Sequence, residues 1–368
     1  MPKITDIYPV SPTQQGLLFH SLLAPNDGLY VPQIILSLSG KLDATRLREC
    51  WQVALQNHEI LRTSFHWEQR DDPFQVVHEA LDLAWTEIDW SALTQEEQVS
   101  KLSILQEANR SEGFSLQRPP LMRLHLIRFS KESHRLVWCY HHLLLDGWSA
   151  GLVMKEVLHS YLSGIRSPSI KTRYADYIAW LNKQDQQAPR GFWEKRLHHS
   201  AAQSDSHRED TQEPAELTFR LSTGEAQRLR AWTQENKITL HTALLGALGI
   251  LRSHSLDSRE VVLGHTISGR PESLAQATEM VGLFINTLPV PLSLSPSQKI
   301  IHWLQGLQEQ QAEASDYEHV SLRDIQTWTN GGAPLFDWLF VLESYPLSPD
   351  AEEQEKELSL TGIDFDEW

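Results

Sequence analysis

Apolar and polar positions along this chain follow two periods, one near 3.6 residues and one of 2, and the changes between them mark its elements. Ser11, Pro12, Thr13 and Gln14 have the form of a capping box with proline at the first helical position, which predicts a helix over 12–23. A β-type run over 32–39 ends at Gly40. Asp43 then caps a helix whose Leu47, Trp51, Ala54, Leu55, Ile60 and Leu61 recur at helical spacing and which stops near Arg62. Next come β-type segments around 63–67 and 74–78, a charged helix over 94–109, and strands around 121–129 and 135–142. From Gly147 onward Trp148, Leu152, Met154, Val157, Leu158 and Tyr161 form a broad apolar face, so a helix resumes directly behind residue 142. A further helix is predicted over 174–184.

Residues 198–216, HHSAAQSDSHREDTQEPAE, break the pattern: polar, proline-containing and almost free of large apolar side chains, they read as an exposed loop or linker. Beyond them the mixed pattern repeats. A second capping box, Ser222 to Glu225, opens a helix to about residue 236, and an apolar helix runs over 239–252. Strand-like runs occupy 261–267, 284–294 and 335–343, with a helix over 297–314 between them. Alternating strands and helices in both halves predict an α/β protein of two similar lobes, 1–178 and 179–368.

Composition narrows the function classes. At 368 residues the chain is long enough for two cores, and 32 Lys and Arg against 48 Asp and Glu give a net charge of −16. With no basic run, nucleic acid is not an expected partner. No apolar stretch approaches the roughly 18 to 20 residues needed to cross a bilayer, and the start lacks a signal-type apolar core, so no membrane association and a cytoplasmic location are expected. Cys50 and Cys139 sit in apolar segments outside any CxxC framework and read as buried thiols. His198, His199 and His207 lack a rigid element to fix them, and no metal site is expected there.

The chemistry concentrates in 135–149, RLVWCYHHLLLDGWS, where a strand ends on His141 and His142 and Asp146 and Gly147 follow just ahead of a helix. Strand parity points the two imidazoles to opposite faces, so only one can face a given cleft. A pair of satisfied core histidines is the structural alternative. A metal reading with His142 and Asp146 as ligands lacks a third ligand at recognisable spacing, and HExxH is absent.

This segment resembles the HHxxxDG signature of the condensation domains of nonribosomal peptide synthetases, relatives of chloramphenicol acetyltransferase. Further motifs resemble the family in chain order: YPVSPTQQGLLFH (8–20), HEILRTSF (58–65), YADYIAW (174–180), SGRP (268–271), VGLFINTLP (281–289), YEHVSL (317–322) and PLFDWLFVLESYP (334–346). The resemblance implies a V-shaped pair of chloramphenicol-acetyltransferase-like lobes with a central tunnel. It implies no cofactor bound by the chain itself; substrates arrive on the 4'-phosphopantetheine of peptidyl and aminoacyl carrier proteins, with an adenylation domain as neighbour. The acceptor amine attacks the donor thioester, and the lengthened chain moves to the acceptor.

Within that resemblance His142 faces the tunnel, where a neutral imidazole of pKa about 6.5 can take a proton from an α-ammonium of pKa about 8 or hold the free amine. His141 is structural. Asp146 is a strut, paired across the lobes with Arg270, and the Gly147 amide can help stabilise the oxyanion. Asn286 lines the tunnel or satisfies a strand edge; Arg62 faces substrate or is a helix C-terminal cation; Trp148 borders the tunnel or packs. The paired histidines disfavour a cyclising relative, DGWSAGLV and VGLFINTLP are more similar to the condensing than the epimerising branch, and SPTQQGLLFH is similar to the class joining an L-configured donor to an L-configured acceptor.

Members of the family continue past the segment that residues 363–364 resemble, whereas the sequence stops at Trp368, so a shortened second lobe is expected. The alternatives left open are an inactive carrier-protein docking module and a free-standing acyltransferase using coenzyme A.

Overall fold

The computed structural model describes residues 3–24, 28–68, 72–165, 172–185, 187–198, 217–343 and 358–366. Apart from His198, the run expected as a loop or linker over 198–216 lies outside the described residues. The first half runs β1 (Ile4–Pro9), α1 (Pro12–Leu23), β2 (Gln33–Gly40), α2 (Ala44–Asn57), a 3-10 turn (Glu59–Arg62), β3 (Thr63–His66), β4 (Phe74–His78), β5 (Trp85–Asp89) and α3 (Gln95–Glu112). It continues with β6 (Met122–Arg128), β7 (Ser133–Tyr140), α4 (Gly147–Ser163) and α5 (Tyr174–Leu181). Then come α6 (Gln187–Leu197), α7 (Thr223–Glu235), α8 (Leu240–Leu256), β8 (Glu260–Ile267), β9 (Asn286–Ser293), α9 (Ile300–Ala314), α10 (Leu322–Asn330), β10 (Leu339–Phe340) and β11 (Leu358–Asp366).

The capping residues act as their side chains dictate. Ser11 and Gln14 form a reciprocal capping box on α1, as Ser222 and Glu225 do on α7, and the Asp43 carboxylate accepts the Arg46 amide at the start of α2. Four elements, β1, β5, α6 and α10, are absent from the sequence expectation. β1 and β5 are short and mostly exposed, so apolar periodicity hardly registers in them.

The chain divides into two compact units, and their membership departs from the expected cut at 178/179, which would fall inside α5. The first unit comprises Met1–Lys183, Arg270–Phe284 and Glu343–Trp368; the second comprises Gln184–Gly269 and Ile285–Leu342. Hydrogen bonding explains the interleaving. β11 pairs antiparallel with β2 along its length, from Leu358 opposite Gly40 to Asp366 opposite Gln33, and 270–284 is bonded to the start of α4.

In the first unit a five-stranded sheet has the order β11-β2-β7-β6-β5, antiparallel except for β5 beside β6, and a smaller sheet has the order β1-β4-β3. Leu36 of β2, Leu124 of β6 and Trp138 of β7 pack with Trp51 and Leu55 of α2 and Val153 and Met154 of α4. Ile35, Ile127 and Val137 project to the opposite face, against Leu102 and Leu105 of α3. Both faces are covered, so β7 reads as a continuous apolar run from Leu136 to Tyr140 rather than an alternating one. The second unit has a three-stranded sheet, β10-β8-β9, whose Leu263 and Leu292 pack with Leu245 of α8 and Leu304 of α9.

Trp51 is 1% exposed, and its ring meets Trp138 edge-on with centroids 4.7 Å apart. Truncating it leaves a cavity between α2 and the sheet. Trp51→Ala is expected to lower unfolding stability by about 3 to 5 kcal/mol, read by calorimetry or denaturant titration; a change under about 1 kcal/mol would contradict this packing.

Candidate active site

The strand β7 delivers its two histidines to different partners. Beyond Tyr140, the backbone N–H of His141 donates to the Leu121 carbonyl (2.9 Å) and that of His142 to the Tyr30 carbonyl (2.9 Å), so the strand's alternation extends through both. Residues 143–145 then turn the chain, and Asp146 caps α4.

His141 is buried, and both ring nitrogens are occupied. Nδ1 accepts the Leu143 N–H at 3.1 Å, which places the proton of the neutral ring on Nε2, 3.4 Å from Ser21 Oγ. Burial, then the neighbouring His142, pushes its pKa down to about 3. A cavity of about 300 Å³ is bordered by Ser21, Tyr30, Trp67, Phe114 and His141.

His142 is half-buried, and its Nδ1 lies 2.8 Å from the Leu145 carbonyl. A carbonyl only accepts, so Nδ1 carries the proton and the neutral ring presents a lone pair at Nε2. Among the described residues nothing is hydrogen-bonded to that nitrogen. The adjacent backbone therefore fixes the tautomer that a general base requires.

Asp146 is 1% exposed and fully engaged. Its Oδ1 accepts the Ser149 N–H (2.7 Å) and Arg270 (3.3 Å), while Oδ2 accepts the Phe284 N–H (2.9 Å). Arg270, 4% exposed, also donates to the carbonyls of Ala277 and Met280 (2.8 Å for the latter) and to Ser149 Oγ (2.7 Å), and its guanidinium lies 4.0 Å above the Phe284 ring. The expected Asp146–Arg270 pair is thus present. It lies inside the first unit rather than across lobes, because 270–284 packs there. At Gly282 an added Cβ would come within 2.1 Å of the Tyr174 ring, whose hydroxyl donates to the Leu283 carbonyl, so only glycine permits that approach. The Gly147 and Trp148 amides open α4 and have no acceptor within the helix.

The remaining candidates lie elsewhere. Arg62 is buried with its guanidinium donating to the carbonyls of Gln56 near the end of α2 and of His78 and Glu79 at the end of β4, none of them in the segment that carries His141 and His142. Asn286, in the second unit, donates through Nδ2 to the carbonyls of Glu318 (2.8 Å) and Val320 (2.6 Å), which ties β9 to 318–320. Trp148 is 37% exposed and donates from Nε1 to the Thr278 carbonyl, so it leaves the apolar face expected of it. Ser149, absent from the sequence expectation, is fully buried among these groups. Among the described residues no group of three or more His, Cys, Asp or Glu side chains could hold a metal, and no helix is long and apolar enough to cross a membrane.

A family model described as condensation domain matches residues 4–367. Among curated proteins the chain is 38% identical to one of the linear gramicidin synthase subunits of Brevibacillus parabrevis, covering 98% of this chain and 5% of that protein. It is 34% identical to surfactin synthase subunit 3 of Bacillus subtilis (strain 168), covering 98% and 29% respectively. The chain therefore spans a small part of these relatives. Among solved structures, the condensation domain from the monacolin K polyketide synthase MokA matches with a TM-score of 0.77 at 16% identity, covering 99% of this chain and 86% of that one. The first condensation domain of the calcium-dependent antibiotic synthetase, in complex with a substrate analogue, matches with a TM-score of 0.73 at 17% identity over 89% and 79%. These likenesses establish the fold.

Two outcomes test the site's energetics. Asp146→Ala removes the carboxylate opposite buried Arg270 and is expected to cost about 3 to 5 kcal/mol, whereas Asp146→Asn keeps the cap and should cost less; equal losses in denaturant titrations would contradict the capping role, and no loss in Asp146→Asn would contradict the charge role. The second is pH dependence. The unfolded chain binds a proton at His141 below about pH 6.5 that the folded chain refuses down to about pH 3, so stability is complete above pH 6.5 and lost as pH falls. At pH 5 the loss from this group is about 2 kcal/mol relative to pH 7.5, and His141→Gln should remove that share of the pH dependence.

Proposed function

Because the chain belongs to the condensation-domain family, we propose that it forms a peptide bond between a donor acyl or peptidyl thioester and the amine of an acceptor aminoacyl thioester. Both substrates are presented on phosphopantetheine arms of carrier proteins, with adenylation domains supplying the loaded amino acids. A cytoplasmic setting and an L-donor, L-acceptor class belong to the same reading. The observation that carries it is the Nδ1 hydrogen bond from His142 to the Leu145 carbonyl, which holds Nε2 as an acceptor.

The acceptor nitrogen attacks the thioester carbonyl, forming the C–N bond and placing negative charge on the carbonyl oxygen. His142 Nε2 takes a proton from that nitrogen. The C–S bond then breaks, the electron pair leaves on the donor pantetheine sulfur, and the protonated imidazole returns a proton to the departing thiolate. The Gly147 amide, at the positive end of α4 and without an acceptor in the helix, suits the oxyanion. Asp146 and Arg270 act as struts.

The test supplies the protein with a donor-loaded and an acceptor-loaded carrier protein and weighs the acceptor arm by mass spectrometry. A dipeptidyl adduct is expected, and His142→Ala should slow its formation by about 10² to 10⁴-fold with carrier binding retained. An adduct formed by His142→Ala at the wild-type rate overturns the role of that histidine. No adduct with carrier binding intact favours a docking module, and turnover of acyl-coenzyme A with a soluble amine in the absence of carriers favours a free-standing acyltransferase.

A further inference from the structure

Ser149 occupies the first turn of α4 with no exposed surface, and its hydroxyl makes every contact a hydroxyl can make. It donates to the Gly282 carbonyl at 2.7 Å and accepts from the Gly282 N–H at 3.0 Å and from Arg270 at 2.7 Å. The same guanidinium nitrogen reaches Asp146 only at 3.3 Å. Arg270 is therefore held closer to the serine than to its carboxylate partner. The Asp146 N–H also donates to the Gly282 carbonyl, at 3.2 Å, so that carbonyl is shared by both ends of the junction.

We propose that Ser149 is a positioning residue for the His142 site: its hydroxyl clamps Gly282 and Arg270 against the start of α4, and so fixes the Asp146 carboxylate, the Gly147 amide and the Leu145 carbonyl that orients His142. Alanine at this position fits the space but removes one acceptor and one donor from a buried junction, leaving Gly282 and Arg270 each short of a partner. Their adjustment shifts the start of α4 relative to the His142 ring. This inference rests on the peptide-bond-forming reading above, so its test carries a readout independent of turnover.

Ser149→Ala is assayed with loaded carrier proteins alongside amide hydrogen exchange. Adduct formation is expected to slow by about ten- to a hundredfold, with the half-saturating concentration of acceptor carrier changed by less than about twofold, the pattern of a lost transition-state arrangement rather than lost binding. The Gly282 amide, and with it the Phe284 amide on Asp146, should exchange at least about tenfold faster. Ser149→Thr, which keeps the hydroxyl, should restore both. A folded Ser149→Ala protein with wild-type rate, or with faster exchange confined to Gly282, overturns the proposal, as does a folded Ser149→Thr protein as slow as Ser149→Ala. If Ser149→Ala does not fold, the comparison of Ser149→Thr with wild type decides. If the wild type makes no adduct, the reaction reading fails by itself, and the Phe284 exchange still decides whether Ser149 positions Asp146.

Discussion

The Asp146 carboxylate is the constraint on which the site depends. A carboxylate withdrawn from water is tolerable only when its oxygens are filled by donors, and here three are supplied: the Ser149 amide from α4, the Phe284 amide from a segment far along the chain, and the Arg270 guanidinium. Each donor fixes a different object. The Ser149 amide sets where α4 begins, the Phe284 amide anchors the return of 270–284, and Arg270 gathers the carbonyls of that same segment. Leu145 immediately precedes this carboxylate, so the carbonyl that orients His142 is held by the same interaction.

The two histidines show how neighbours divide labour between identical side chains. His141 spends both nitrogens on structure, and burial keeps it neutral far below the usual range of imidazole. His142 spends one nitrogen on a backbone carbonyl, and among the described residues nothing is hydrogen-bonded to the other. Parity along β7 foreshadows this split, because adjacent residues cannot share surroundings. Which ring takes which role follows only from the turn at 143–145, whose backbone offers a donor to the first ring and an acceptor to the second.

Much of this is legible in the sequence wherever a local rule governs the outcome. The capping boxes at Ser11 and Ser222 fix helix starts through contacts three residues apart, and β7 is apolar from Leu136 to Tyr140 because both faces of its sheet are covered. The HHxxxDG segment and its family resemblance point to Asp146 and Arg270 together. Less legible are features set by distant backbone. Arg62 and Asn286 are polar residues in apolar surroundings, which is the expected mark of a site, yet each satisfies main-chain carbonyls that no spacing rule reveals. Ser149 escapes notice for the converse reason: a serine in a first helical turn is ordinary, and its importance comes from Gly282, 133 positions away.

That distance bears on how the site comes into being. Asp146 meets Arg270 across 124 positions and Phe284 across 138, and the cost of closing such a loop grows only slowly with its length. The penalty is therefore modest, but it must be met before the carboxylate gains two of its three donors. Until then β7 and α2 can pack, since Trp138 and Trp51 belong to the first half, while Asp146 has only the cap of its own helix. The first half of the chain is thus a scaffold with an unfinished junction. Residues 270–284 complete it by supplying an amide, a guanidinium and a glycine that lets the backbone approach Tyr174, so the cut at 178/179 suggested by alternating elements would separate His142 from the segment that holds its support in place.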